Sequence, residues 1–178
     1  VTSGMIKVMD STCPAILAAL QAGEKGIPFI PLRGLVGSDL VRHREDYKVI
    51  DNPFAEDDPI VVMPAIVPDF AMFHAPLADS HGNVWIGKQM ELKVIAHAAK
   101  NTVVTVEEFY DGDLLADDRM AAGCIPSLYL SGIAVAKKGA WPLGLPGTYG
   151  VDGDHVAEYA GLARSEEGVA QYLSGNVS

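Results

Sequence analysis

The chain has 178 residues, 49% of them hydrophobic, and a formal net charge of −10 at pH 7, which fits one domain able to bury roughly 70% of its unfolded surface and excludes a disordered chain. The acidic balance speaks against a nucleic-acid partner, which needs a basic face, but not against a small anionic ligand, for which the local field matters more. Two cysteines, Cys13 and Cys124, form no metal-ligand spacing and are few for a secreted domain, so a cytoplasmic location is expected.

No charged segment precedes an apolar one at the N-terminus, so no signal peptide is expected. The longest apolar stretch, residues 60–68, is shorter than the ~20 residues of a membrane span and contains Pro64, so no membrane is expected. The opening "VTSGMIKV" lacks an initiator Met and reads as a processed chain or a fragment.

In chain order, residues 6–9 read as a short strand. Residues 10–26 read as a helix, with Ser11 or Thr12 as cap, Pro14 in the first turn, Gly26 as stop, and Ile16, Leu17 and Leu20 as apolar stripe. Residues 27–39 give a strand-like piece and a loop with two glycines, and 40–59 a polar, turn-rich surface segment. Strands follow at 60–66, 69–75 and 83–87, then a helix at 91–100 with Leu92, Ile95, Ala96 and Ala99 on one face.

Residues 101–108 are apolar on both faces, as a strand buried between helix layers would be. Residues 127–140 suggest a strand or hairpin, 141–154 a Gly/Pro-rich loop, and about 154–164 and 165–173 two closing helices. The alternation predicts an α/β fold, layered, with a mainly parallel central sheet and helices on its faces. Val62, Phe73, Ile95, Val104 and Val106 are expected in its core.

Three stretches carry residue types suited to chemistry. In "FHAPLADSHGNVWIG" (73–87), His74 and His81 are seven apart, with Asp79 between them. That spacing puts the two histidines on opposite faces of a strand, and Asp-Ser-His-Gly-Asn has the composition of a β-turn. A turn is therefore expected and no metal, with His74 the possible exception. Glu107 and Glu108 close a strand, as His74 does, at the carboxyl edge where parallel sheets bind ligands. Each is either an exposed strand-end acid or a functional carboxylate. "RGLVGSDL" (33–40) places Gly34 and Gly37 before Ser38 and Asp39, which suits either a backbone nest for an anion or acyl group, or an ordinary loop. It lacks the lysine of a nucleotide-binding P-loop. Cys13 lies near a helix start, where a thiolate is favoured, but no partner base is visible.

Three segments, "GIPFIPLRGLVGSDL" (26–40), "MPAIVPDFAMFHAPLADSHGNVWIG" (63–87) and "AAKNTVVTVEEFYD" (98–111), agree in order and spacing with one family. The chain resembles the α-subunit-like half of family I CoA-transferases of the glutaconate CoA-transferase type, over most of its length. The resemblance implies a CoA-transferase/NagB-like fold, with residues 1–178 as one α-like domain lacking the usual N-terminal portion. It implies an acyl-CoA substrate, no metal, and a β-like partner subunit carrying the nucleophilic glutamate, whose Glu-rich Gly motif is not found here.

Some relatives look like hydrolases that open a ring in a steroid-derived acyl-CoA, using an acid near the start of the first helix. Asp10 stands in that neighbourhood. The site residues so implied are Glu107 and Asp10 as candidate acids, with Gly34, Gly37, Ser38, Asp39 and His74 toward substrate. Three readings remain: half of a transferase, half of a hydrolase of the same fold, and a non-catalytic scaffolding half. The loop 141–150, with Trp141, Leu145 and Tyr149, is the expected contact with a partner.

Overall fold

The computed structural model describes residues 4–176. Its helices and strands are α1 (Cys13–Glu24), β1 (Phe29–Leu32), α2 (Asp39–His43), β2 (Lys48–Asp51), β3 (Pro59–Pro64), β4 (Phe70–Asp79), β5 (Val84–Trp85), α3 (Met90–Ala98), β6 (Asn101–Tyr110), β7 (Cys124–Ile125), β8 (Gly132–Val135), α4 (Gly153–Leu162) and α5 (Glu166–Asn176). Among the described residues no helix is long and apolar enough to cross a membrane.

Two sheets share the work. The larger has the order β7-β5-β4-β6-β8. Its long strands are parallel: β4 runs in register with β6 from Phe70↔Asn101 to Asp79↔Tyr110, and β6 with β8 from Val103↔Gly132 to Val106↔Val135. The two-residue strands β5 and β7 add antiparallel on the other side. Strand parity then sorts the side chains. Ala75, Val104 and Val106 face a core completed by Ile86, Ala96 and Ile125, while His74, Thr105 and Glu107 share the opposite face. This is the layered, mainly parallel α/β arrangement that the alternating pattern predicts.

The strand expected at 60–66 is β3, but it lies outside that sheet. It is the middle of a three-stranded antiparallel sheet, between β1 and β2. The segment 40–59, expected to be irregular surface, supplies α2 and the edge strand β2. Residues 6–9 join no strand, and Met5, Ile6, Val8 and Met9 are exposed. The apolar character that suggested a strand there has no sheet neighbour among the described residues.

Thr12 caps α1, its hydroxyl oxygen accepting from Ala15 N at 3.3 Å, and Pro14 occupies the first turn. The buried stripe is Ala15, Ala19 and Ala22, not the expected Ile16, Leu17 and Leu20; Ile16 is 41% exposed. Small residues face inward because α1 lies close on its neighbours: Ile66 N donates to Ala19 O at 3.0 Å. Around this stripe Leu35, Tyr47, Val61 and Met63 form a second core. Val104 and Val106 are buried as expected, whereas Val62, Phe73 and Ile95 are only half-buried. Val62 points away from α1, Phe73 packs at the margin of the larger core, and α3 turns Ala96 and Ala98 inward instead of Ile95.

The loop 141–150, expected to meet a partner, buries only Leu145 and leaves Trp141, Leu143, Pro146, Gly147, Thr148 and Gly150 exposed. Leu145 is buried and bridged to Tyr149, and the Tyr149 hydroxyl accepts from Ala140 N at 2.9 Å. Trp141 remains 42% exposed, its indole N–H donating to Asp152.

The close seat of α1 makes a testable point of Gly23, where an added Cβ would lie 2.2 Å from Ile66 O. Backbone cannot yield as a side-chain tip does, so Gly23→Ala is expected to cost about 1–3 kcal/mol by overpacking. The check is a lower urea midpoint with an unchanged slope.

Candidate functional site

Asp79 ends β4 and organises the turn that follows. It is fully buried. Its Oδ1 accepts from His81 N at 3.0 Å and Asn83 N at 2.9 Å, and its Oδ2 from Asn83 Nδ2 at 2.9 Å and Leu114 N at 3.0 Å. Burial pushes this carboxyl up, and the four donors outweigh it, leaving the group below its ordinary value. Ligand atoms of Asp79, His81 and Asp113 lie within 4.8 Å of one another. Because N–H groups already engage both Asp79 oxygens, the grouping is explained by the turn. His74 is not part of it.

His74 is at mid-strand, since β4 runs on to Asp79 beyond the end expected at residue 75. In-register pairing sets it beside Thr105, and Glu107 stands two residues further on the same face. The imidazole Nε2 lies 2.7 Å from Glu107 Oε1, and Nδ1 lies 2.8 Å from the Thr105 hydroxyl. Glu107 Oε2 accepts from Lys138 N at 3.0 Å, and the nearby Tyr149 phenol also favours its ionised form. Burial alone would raise the Glu107 carboxyl; the Lys138 amide, His74 and Tyr149 hold it down at about 2. It is ionised at neutral pH, so the His74 Nε2 carries the proton of their shared bond. Close packing completes the arrangement: a Cβ at Gly139 would lie 2.6 Å from His74 Nδ1. Glu108, on the outer side, is exposed and reaches Lys137 at 3.4 Å.

The remaining candidates lie with the smaller sheet. The loop 33–38 follows β1, and its Leu35 enters the second core. Gly37 has φ +78°, which explains the glycine; Gly34 has neither a positive φ nor a close neighbour. Ser38 is occupied within the loop, its N–H and its hydroxyl both donating to Leu35 O, at 3.1 and 2.8 Å. Asp39 opens α2 and pairs with Arg42 on the surface. No partner of Glu107 comes from this loop, so Gly34, Gly37, Ser38 and Asp39 form one group and His74 with Glu107 another.

Asp10 stands at the wall of a cleft of ≈ 410 Å³ between residues 7–10 and α2 with its following turn. Lys7 and Asp10 line one wall and His43, Arg44, Glu45 and Asp46 the other, so cations and acids are mixed on both sides. Sequence reasoning missed Arg44, Tyr47, Thr105 and Tyr149. Only the alternation of Thr105 with Glu107 was available as a signal, because the other contacts join distant stretches of chain. Cys13 opens α1 and is exposed, while Cys124 is buried, its thiol pushed up to about 11 by burial.

The Glu107 cluster has a pH signature. A carboxyl held at about 2 against an ordinary 4.5 stabilises the fold above pH 4.5, and that contribution is lost as the pH falls from 4.5 toward 2. Glu107→Gln is expected to flatten this acid limb and to cost about 1–3 kcal/mol at pH 7, by leaving donors poorly matched. Urea midpoints of both proteins across this range test it; parallel acid limbs would disprove the role.

The family model described as Coenzyme A transferase matches residues 2–130. The chain is 30% identical over 182 residues to the A subunit of glutaconate CoA-transferase from Acidaminococcus fermentans, covering 93% of this chain and 56% of that one. The crystal structure of that transferase superposes with a TM-score of 0.87 at 26% identity, over 98% of this chain and 60% of the other. To the A subunit of 3-oxoadipate CoA-transferase from Pseudomonas knackmussii it is 36% identical over 150 residues, 82% of this chain and 51% of the relative. The decarboxylase AibA/AibB, solved as a cysteine-to-serine variant, matches with a TM-score of 0.81 and 29% identity, over 97% of this chain and 64% of the other. The chain thus spans about half the length of the curated relatives it matches, and it belongs to the coenzyme A transferase family.

Proposed function

We propose that this chain forms the α-like side of an acyl-CoA:carboxylate CoA-transferase, working in the cytoplasm with a β-like subunit that carries the nucleophilic glutamate. The observation that carries this furthest is its likeness to the A subunits of two transferases, across 93% and 82% of its length. The state of its own acids supports it. Glu107 is buried and hydrogen-bonded on both oxygens, to His74 and to the Lys138 N–H, so it has little freedom to attack a thioester.

The chemistry suits a division between two subunits. A glutamate is ionised at pH 7, since its ordinary pKa is about 4.3. It needs no base, but it is a poor nucleophile. Holding it against a thioester supplies an effective molarity of order 10⁵ M or more. Anhydride and enzyme-thioester intermediates then divide the transfer into easier steps. The α-like side contributes walls and donors. Gly37, whose N–H has no partner among the described residues, is the candidate donor to a thioester oxygen, with Gly34, Ser38 and Asp39 shaping the loop around it. Asp10 is the acid placed to orient a water or the partner's carboxylate by hydrogen bonding. His74 and Glu107 hold the adjoining sheet and loop, and no metal takes part.

The test is reconstitution with a β-like subunit, assayed on a panel of acyl-CoA thioesters with and without acetate as acceptor. The chain alone is expected to transfer nothing, and the complex to require the acceptor. Borohydride or hydroxylamine should trap a thioester on the partner's glutamate. Label on Asp10 or Glu107, or thioester hydrolysis indifferent to acetate, would overturn the assignment.

A further inference from the structure

The segment before α1 is in neither helix nor strand from residue 4 to residue 12, yet residues 10 and 11 are each tied to the turn after α2. Arg44 makes a fork with Asp46, Nε to Oδ1 at 2.8 Å and Nη2 to Oδ2 at 2.7 Å. Its remaining Nη1 donates to the main-chain carbonyl of Asp10 at 2.8 Å. The guanidinium lies over the Tyr47 ring, 4.3 Å from the centroid. Tyr47 is buried in the second core, and its hydroxyl shares a hydrogen bond of 2.7 Å with Ser11 Oγ. The Arg44 side chain is only 14% exposed.

The same fork recurs where nothing depends on it. Arg119 grips Asp117 with Nε and Nη2 at 3.0 and 2.7 Å, but is 86% exposed and makes no bond to a distant segment among the described residues. What distinguishes Arg44 is its third bond and its burial. Asp46 and the Tyr47 face fix the plane of the guanidinium, so the direction of Nη1, and with it the Asp10 carbonyl, is set. The contact takes the main chain of Asp10 and leaves its carboxylate without a protein partner among the described residues.

We propose that Arg44 is a positioning residue for the acyl-CoA reaction: by its bond to the Asp10 carbonyl, and with Tyr47 on the Ser11 hydroxyl, it fixes the segment at the wall of the cleft, so that the Asp10 side chain starts from a fixed main chain there and its carboxylate stays unengaged. The assignment rests on the function proposed above. Lysine cannot replace it, because an ammonium has neither the fork nor the flat face.

The experiment uses the reconstituted complex with Arg44→Ala, Tyr47→Phe and, as control, Arg119→Ala. Arg44→Ala is expected to lower kcat about tenfold or more while KM for acyl-CoA stays within about twofold, as misplacement of a reacting segment does. Millimolar guanidinium should restore part of that loss by refilling the site. Amide exchange at Ala15 and Ile16, whose N–H groups donate to Thr12 at the end of the clamped segment, should accelerate in Arg44→Ala, slow again with guanidinium, and stay unchanged in Arg119→Ala. Tyr47→Phe removes one hydroxyl only and should show the same pattern at about threefold, which keeps the test informative if Arg44→Ala fails to fold. Unchanged exchange at Ala15 and Ile16 overturns the clamp. Accelerated exchange with kcat within twofold overturns its part in the reaction. A wild-type complex that turns over no acyl-CoA counts against the function proposed above, and the clamp then stands or falls on the exchange measurement.

Discussion

The in-register parallel pairing of β4 with β6 is the constraint on which the rest of the larger sheet depends. Ten-residue strands running together from Phe70↔Asn101 to Asp79↔Tyr110 decide, by parity alone, what each side chain meets. A slip of one residue would send Val104 and Val106 to the polar face and Glu107 into an alanine and valine core. The paired residues step from Ala75↔Val106 to Leu77↔Glu108, passing over buried Pro76 and Glu107. Proline cannot donate to a ladder, and beside this step the Glu107 side chain gathers bonds from His74 and Lys138. The polar network and the interruption of the ladder coincide, and the network anchors the loop after β8 to the sheet.

Two buried acids, Asp79 and Glu107, share one electrostatic solution. A carboxylate taken out of water needs donors on both oxygens; Asp79 has four from its own turn and from Leu114, and Glu107 has one on each oxygen. Both are held ionised by those donors, and both are thereby made rigid. A reacting acid needs the reverse, a fixed main chain and an uncommitted carboxylate. Asp10 has that arrangement, because Arg44 and Tyr47 take hold of the backbone carbonyl and the neighbouring hydroxyl.

Periodicity is enough to read β4, β6 and the helices at 13–24 and 90–98, because their apolar patterns are long, and at 13–24 a cap and a following glycine mark the ends as well. It misplaced β3, since an apolar strand carries no mark of the sheet it will join. It misread the buried face of α1, because the largest side chains were taken as the inward ones, whereas close approach selected alanines. At the candidate site, the Asp-Ser-His-Gly-Asn turn was legible from local chemistry. The pairing of His74 with Glu107 was not, since 33 residues separate them and only the register of two strands brings them together. Arg44 gave no signal at all: its fork with Asp46 is local, but its grip on Asp10 depends on where α1 starts in space.

The same scaffold carries proteins named as CoA-transferases and one named as a decarboxylase, so strands and core do not choose the reaction. The choice belongs to segments that the scaffold positions without pairing them. In the function proposed for this chain those are residues 4–12 and the loops on either side of α2. Both lie against the smaller sheet and its alanine-faced helix, away from the saturated Glu107 network. A rigid core of small residues beneath α1 carries its first turn, and Arg44 carries the three residues before it. Changing one side chain on so firmly held a segment alters the chemistry offered to a substrate and leaves the fold untouched. Such a separation of position from reactivity is one physical route by which a fold can accommodate different reactions.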